Sequence, residues 1–156
     1  MYLVGAMLYM LFITLILYRW MFVSMPAETL MPTYWINMGA LAITTLAGSR
    51  LVLTADTWSL LHELVPFLKG FTLFFWATGT WWIPLLVIVG IWRHVWKRVP
   101  LTYDPQYWGL VFPLGMYTIA TLMLAKVIGL TFLTVVASGG LYVALVAWGI
   151  TFVDNV

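Results

Sequence analysis

The sequence has no cysteine, little charge and only two histidines, and each shortage removes a class of function. Without cysteine there is no disulfide framework and no thiolate to act as nucleophile or metal ligand. Charged residues make up 8% of the 156, where a soluble domain carries about 25%. A water-soluble fold of this length would lack the polar surface needed to cover its core. The net charge of +2 is too weak for nucleic-acid binding. No Ser/His/Asp set and no carboxylate pair converges along the chain, which speaks against an enzyme.

Hydrophobic residues are abundant instead, at 64% of the chain with a mean hydropathy of +1.03. Lipid tails accept an apolar exterior, so this composition predicts an all-α integral membrane protein with the bilayer as its main partner. About five stretches are long enough to span, at about 2–23, 33–54, 71–98, 106–126 and 130–153, all in one transmembrane domain covering the chain. The first lacks a basic n-region and runs on from Tyr2 to Tyr18, too far for a signal peptide. Met25 to Pro32 holds two prolines and an acid and predicts a loop. Between the second and third spans, Trp58, Leu61, Leu64, Val65 and Leu68 recur at helical spacing, which predicts an interfacial amphipathic helix over about 56–69.

Cations favour the cytoplasmic side. Arg19, Arg93, Lys97 and Arg98 share one side, and Arg50, Lys69 and Lys126 the other. The dense cluster after the third span places the C-terminus in the cytoplasm and the N-terminus outside. All these cations lie near span ends, and Asp56, Glu63, Asp104 and Asp154 lie in loops or at the terminus, so no ionisable group marks a proton relay at mid-depth. His62 and His94 fall on opposite faces and cannot share a metal or haem, so no cofactor and no metal are expected.

Uncharged polarity remains. The second span carries Asn37, Thr44 and Thr45. The third carries Thr78, Thr80 and Pro84, and the fourth Pro113, Gly115, Thr118 and Thr121. A proline inside a helix frees one carbonyl, and such breaks either border a wet cavity or serve packing alone. Weak dipoles along a passage let an anion in and out, where a full positive charge would hold it.

Four stretches resemble one known family: Pro32-Thr-Tyr-Trp-Ile-Asn-Met-Gly-Ala-Leu-Ala-Ile-Thr-Thr-Leu-Ala-Gly48, Trp81-Trp-Ile-Pro84, Trp92-Arg-His94 and Tyr103-Asp-Pro-Gln-Tyr-Trp-Gly-Leu-Val-Phe-Pro-Leu-Gly-Met-Tyr117. It is the tellurite-resistance/dicarboxylate transporter family, which includes the plant slow anion channels, and the resemblance covers nearly the whole chain. It implies a ten-helix protomer of five hairpins with pseudo-fivefold symmetry around a central pore, assembled as a homotrimer in a bacterial inner membrane. This chain corresponds to the C-terminal half of such a protomer. The missing N-terminal half, or a second copy, would complete the ring. The second and fourth spans would then line the pore. The resemblance implies a gate at Phe112, directly before Pro113, with Asn37, Thr44, Thr45, Pro113 and Thr118 as pore-lining candidates. Small inorganic anions or dicarboxylates are the implied substrates. A subunit that only associates with a partner, without transporting, is the competing expectation. The Trp81–Trp82 pair is expected to serve packing between helices.

Overall fold

The computed structural model describes residues 1–24, 26, 30–100 and 103–153. Part of the loop expected over 25–32, and Asp154, lie outside the described residues. Five helices are long and apolar enough to cross a membrane. They are α1 (Tyr2–Phe22), α2 (Trp35–Leu53), α4 (Val65–Ile91), α5 (Trp108–Ile128) and α6 (Phe132–Val153), with the short α3 (Ser59–Glu63) between α2 and α4. No strand occurs among the described residues.

The helix ends follow local chemistry. A 3-10 turn at Pro105–Tyr107 leads into α5, and the Asp104 side chain caps it by accepting from the Gln106 N–H at 2.8 Å. Pro105 sits in the first turn, where its missing N–H costs nothing. Gly129 ends α5 in the left-handed conformation at φ 71° and donates to the Ala125 carbonyl, an arrangement that favours glycine.

The third span differs from its expected limits at both ends. It begins at Val65, so the expected interfacial helix over 56–69 is reduced to a 3-10 turn at Ala55–Thr57 and the five residues of α3. Pro66 starts the long helix instead of interrupting it, since a proline in the first turn fits helical φ. At the other end the α-helix stops at Ile91 and widens into a π-helical turn over Trp92–Trp96, closed by Lys97 N–H to the Trp92 carbonyl at 2.9 Å. Arg98, at φ 54°, then turns the chain away.

α2 and α5 form the centre. α5 packs most extensively on α2 and α6, and α4 packs on α2. Of their apolar windows, 39% in α2 and 44% in α5 is buried, against 11% in α1 and in α6. Small residues permit this closeness: a Cβ on Gly39 would lie 3.0 Å from Pro113, and one on Gly140 would lie 2.8 Å from the Thr118 hydroxyl. α1 stands further off on aromatic side chains. Tyr9 meets Phe75, and Trp20 meets Trp82, edge to face at 6.3 and 5.5 Å.

Candidate pore face

α2 and α5 run in the same direction, because Thr33 lies beside Gly109 and Gly39 beside Pro113. Each carries an exposed stripe at helical spacing. On α2 it is Ile36, Ile43, Ala47 and Arg50, with Ala40 half-buried between them. On α5 it is Phe112, Gly115, Ile119, Leu122 and Lys126. With 3.6 residues per turn, the stripe lies to one hand of the mutual contact on α2 and to the other hand on α5. For parallel neighbours, that puts both stripes on the same side of the pair, while α4 and α6 cover the other side. The stripes bear no charge until Arg50 and Lys126, which stand in the last turns of their helices and so at the same end.

The residues singled out in the sequence separate on this surface. Phe112 projects from it, 59% exposed. Asn37 and Thr44 sit half-buried at its edge. The Thr44 hydroxyl donates to the Ala40 carbonyl at 2.9 Å, and the Asn37 carbonyl accepts from the Tyr9 hydroxyl at 2.8 Å. Thr45 is 0% exposed, in the interior of this bundle, and its hydroxyl donates to the Leu41 carbonyl at 2.9 Å. Pro113 is buried against Gly39 and forms the α2/α5 contact, one position round from Phe112. Thr118 turns toward Gly140 on α6 and donates to the Leu114 carbonyl at 2.9 Å. Both therefore position the exposed stripe from behind and are not part of it.

Other pieces had no signal in the sequence. The stripe residues Gly115, Ile119 and Leu122 are ordinary apolar residues of a membrane helix, and only their shared exposure marks them. Across the buried side, Trp76 Nε1 donates to the Thr121 hydroxyl at 2.9 Å, and the Thr80 and Tyr117 hydroxyls pair at 2.8 Å. These bonds tie α4 to α5. Trp82 is 0% exposed within the core, whereas its neighbour Trp81 is 53% exposed, so packing accounts for only the first of the pair. His62 pairs with Asp56 at 3.3 Å at one end of α4, and His94 bonds the Val99 carbonyl at 2.9 Å at the other. No group of three His, Asp or Glu side chains that could hold a metal occurs among the described residues.

Five apolar helices, with a tied interior and an open side on the central pair that is uncharged up to Arg50 and Lys126, define a polytopic all-α integral membrane protein. The chain belongs to the voltage-dependent anion channel family, which it matches over residues 1–156. It is 43% identical over 128 residues to an uncharacterized membrane protein of Mycobacterium tuberculosis, covering 82% of this chain and 64% of that protein. It is 24% identical over 152 and 151 residues to two uncharacterized transporters of Methanocaldococcus jannaschii, covering 97% of this chain and 43% and 42% of theirs. The chain thus spans less than two thirds of the length of these relatives. No solved structure matches it.

Proposed function

We propose that this chain supplies part of the wall of a membrane passage for small inorganic or dicarboxylate anions, with no chemistry of its own on the solute. The observation that carries the reading is the shared open side of α2 and α5. It runs along both helices without charge until Arg50 and Lys126 in their last turns, and Phe112 is its largest projecting ring. An anion crossing such a face meets no full positive charge that would trap it, while Arg50 and Lys126 at one mouth raise its local concentration. Phe112 acts as the gate: Pro113, pinned by Gly39, fixes the backbone that aims the ring. Asn37 and Thr44 border the passage. Thr45, Pro113 and Thr118 hold its wall in place from behind.

Two central helices cannot enclose a pore, so the ring is closed by further helices, from the N-terminal half of such a protomer or from a second copy, and complete protomers form trimers. The protein sits in the cell membrane with its N-terminus outside and its C-terminus in the cytoplasm, as the Arg93, Lys97 and Arg98 cluster favours. The test is anion flux from liposomes carrying the assembled protein. Phe112→Ala raises flux about tenfold if the ring contributes about 1.4 kcal/mol to the barrier. Unchanged flux removes Phe112 from the gate. Absence of any flux from the wild-type and Phe112→Ala assemblies alike favours the non-transporting subunit.

A further inference from the structure

A cavity of about 240 Å³ opens at the end of the bundle where α2 and α5 begin and α4 finishes. Its origin is a mismatch of lengths. The face of α4 that carries Leu68, Thr72, Phe75, Gly79, Trp82 and Leu86 is buried. Gly90 and Arg93 continue that face, but α2 begins only at Trp35, so the last turns of α4 overshoot their partner. The cavity is distinct from the pore face, because its α5 wall is Leu110, two residues before Phe112 and therefore on nearly the opposite side of the helix.

The lining combines two chemistries. Leu86, Gly90 and Leu110 make an apolar floor, Trp35 stands in the wall, and Arg93 is the cation. The Arg93 Nε is buried and has no hydrogen-bond partner among the described residues. His94 is already engaged with the Val99 carbonyl, and the Lys97 ammonium lies over the Trp92 ring at 5.4 Å. Among the cations of this end, Arg93 is the arginine in the cavity wall, with a buried N–H left to meet an incoming anion. An apolar slot at the membrane boundary, with a guanidinium in its wall and an indole beside it, matches an amphiphile whose charge is negative and whose body is hydrocarbon.

We infer that this cavity binds an anionic phospholipid of the adjacent leaflet, one acyl chain lying along Leu86, Gly90 and Leu110 and the phosphate accepting hydrogen bonds from the Arg93 guanidinium. The planar fork of arginine suits two phosphate oxygens at once. Gly90 is the point of access: nothing lies within 4 Å of where its Cβ would stand, so the first atom of a larger side chain there meets open space beside the slot.

The experiment uses the assembled protein in mixed micelles with phosphatidylglycerol carrying a photoactivatable diazirine in one acyl chain. The matching phosphatidylcholine probe serves as the neutral comparison. The wild type is expected to label on the peptides holding Trp35 or Leu86 to Arg93, about fivefold more with the anionic probe, as one cation near the surface provides. Arg93→Gln brings the anionic probe down to the level of the neutral one. Gly90→Leu abolishes labelling by both at those peptides while the helical circular dichroism stays unchanged. Excess inorganic phosphate leaves the labelling intact. Equal labelling of the wild type by the two probes, full labelling of Gly90→Leu, or displacement by inorganic phosphate would each overturn the inference.

Discussion

The two sides of α5 are built on opposite rules. The side turned to α2, α4 and α6 holds Pro113, Tyr117, Thr121 and Leu124, all buried, with hydroxyl bonds to Thr80 and Trp76. The open side holds Phe112, Gly115, Ile119 and Leu122, with no polar side chain before Lys126. A soluble amphipathic helix would show the reverse. In lipid there is no hydrophobic drive to bring helices together, so close packing and polar bonds gather at the contacts. Hydroxyls in this chain thus mark where helices meet, and do not by themselves mark where water runs.

Three pairs of substitutions test packed positions against open ones. The largest effect belongs to Trp82, fully buried against Trp20. Trp82→Ala should cost about 3–5 kcal/mol, as for other large aromatic truncations, while Trp81→Ala stays within about 0.5 kcal/mol. Reversible unfolding in mixed micelles measures both, and equal losses would erase the distinction. Next is the close contact at Gly39. Gly39→Val drives a branched side chain into Pro113 and should cost about 1–3 kcal/mol, whereas Gly115→Ala on the open stripe meets nothing and is neutral or slightly stabilising. The same unfolding measurement decides, and a neutral Gly39→Val would mean the α2/α5 contact is looser than described. The smallest effect is polar. Thr121→Val removes the acceptor of Trp76 Nε1 and should cost about 1 kcal/mol, while Thr44→Val, whose hydroxyl bonds only its own helix, changes stability by a few tenths. Similar values for the two would deny the interhelical bond any special weight.

The same contrast explains how much the sequence disclosed. Five spans were legible because a run of about 20 apolar residues has no other stable use in a chain this poor in charge. The segment before the third span was not. Its spacing of Trp58, Leu61, Leu64 and Leu68 suits an interfacial helix, but Pro66 in a first turn lets the transmembrane helix start early, at Val65, and absorb the end of it. The Thr residues misled for a related reason. Thr45 and Thr118 look like pore polarity in a sequence, yet each hydroxyl returns to a carbonyl four residues back and can be buried without penalty. Nothing in residue type distinguishes Thr44, at the edge of the open face, from Thr45, one position on and fully enclosed. The Phe112–Pro113 pair was legible only as a pair: the structure buries the proline against Gly39 and exposes the ring, and neither residue alone predicts that division. Ile119 and Leu122 carried no signal, since an apolar residue on the open stripe and one packed inside the bundle are written with the same letters.

Anions can pass along this chain only where water reaches the shared open side of α2 and α5. This chain has no cysteine of its own, so a thiol placed in it is an introduced one and can be followed directly. Single cysteines at Ala47 and Ile119 on the open side, and at Leu141 and Val146 on exposed positions of α6, are to be challenged in the assembled protein with a charged, membrane-impermeant thiosulfonate. The reagent needs a thiolate, which forms in water and not in hydrocarbon. The account predicts rapid modification at Ala47 and Ile119, slowed by permeant anions, and none at Leu141 and Val146. Protection at Ala47 and Ile119 to the same degree as at the α6 positions would contradict it.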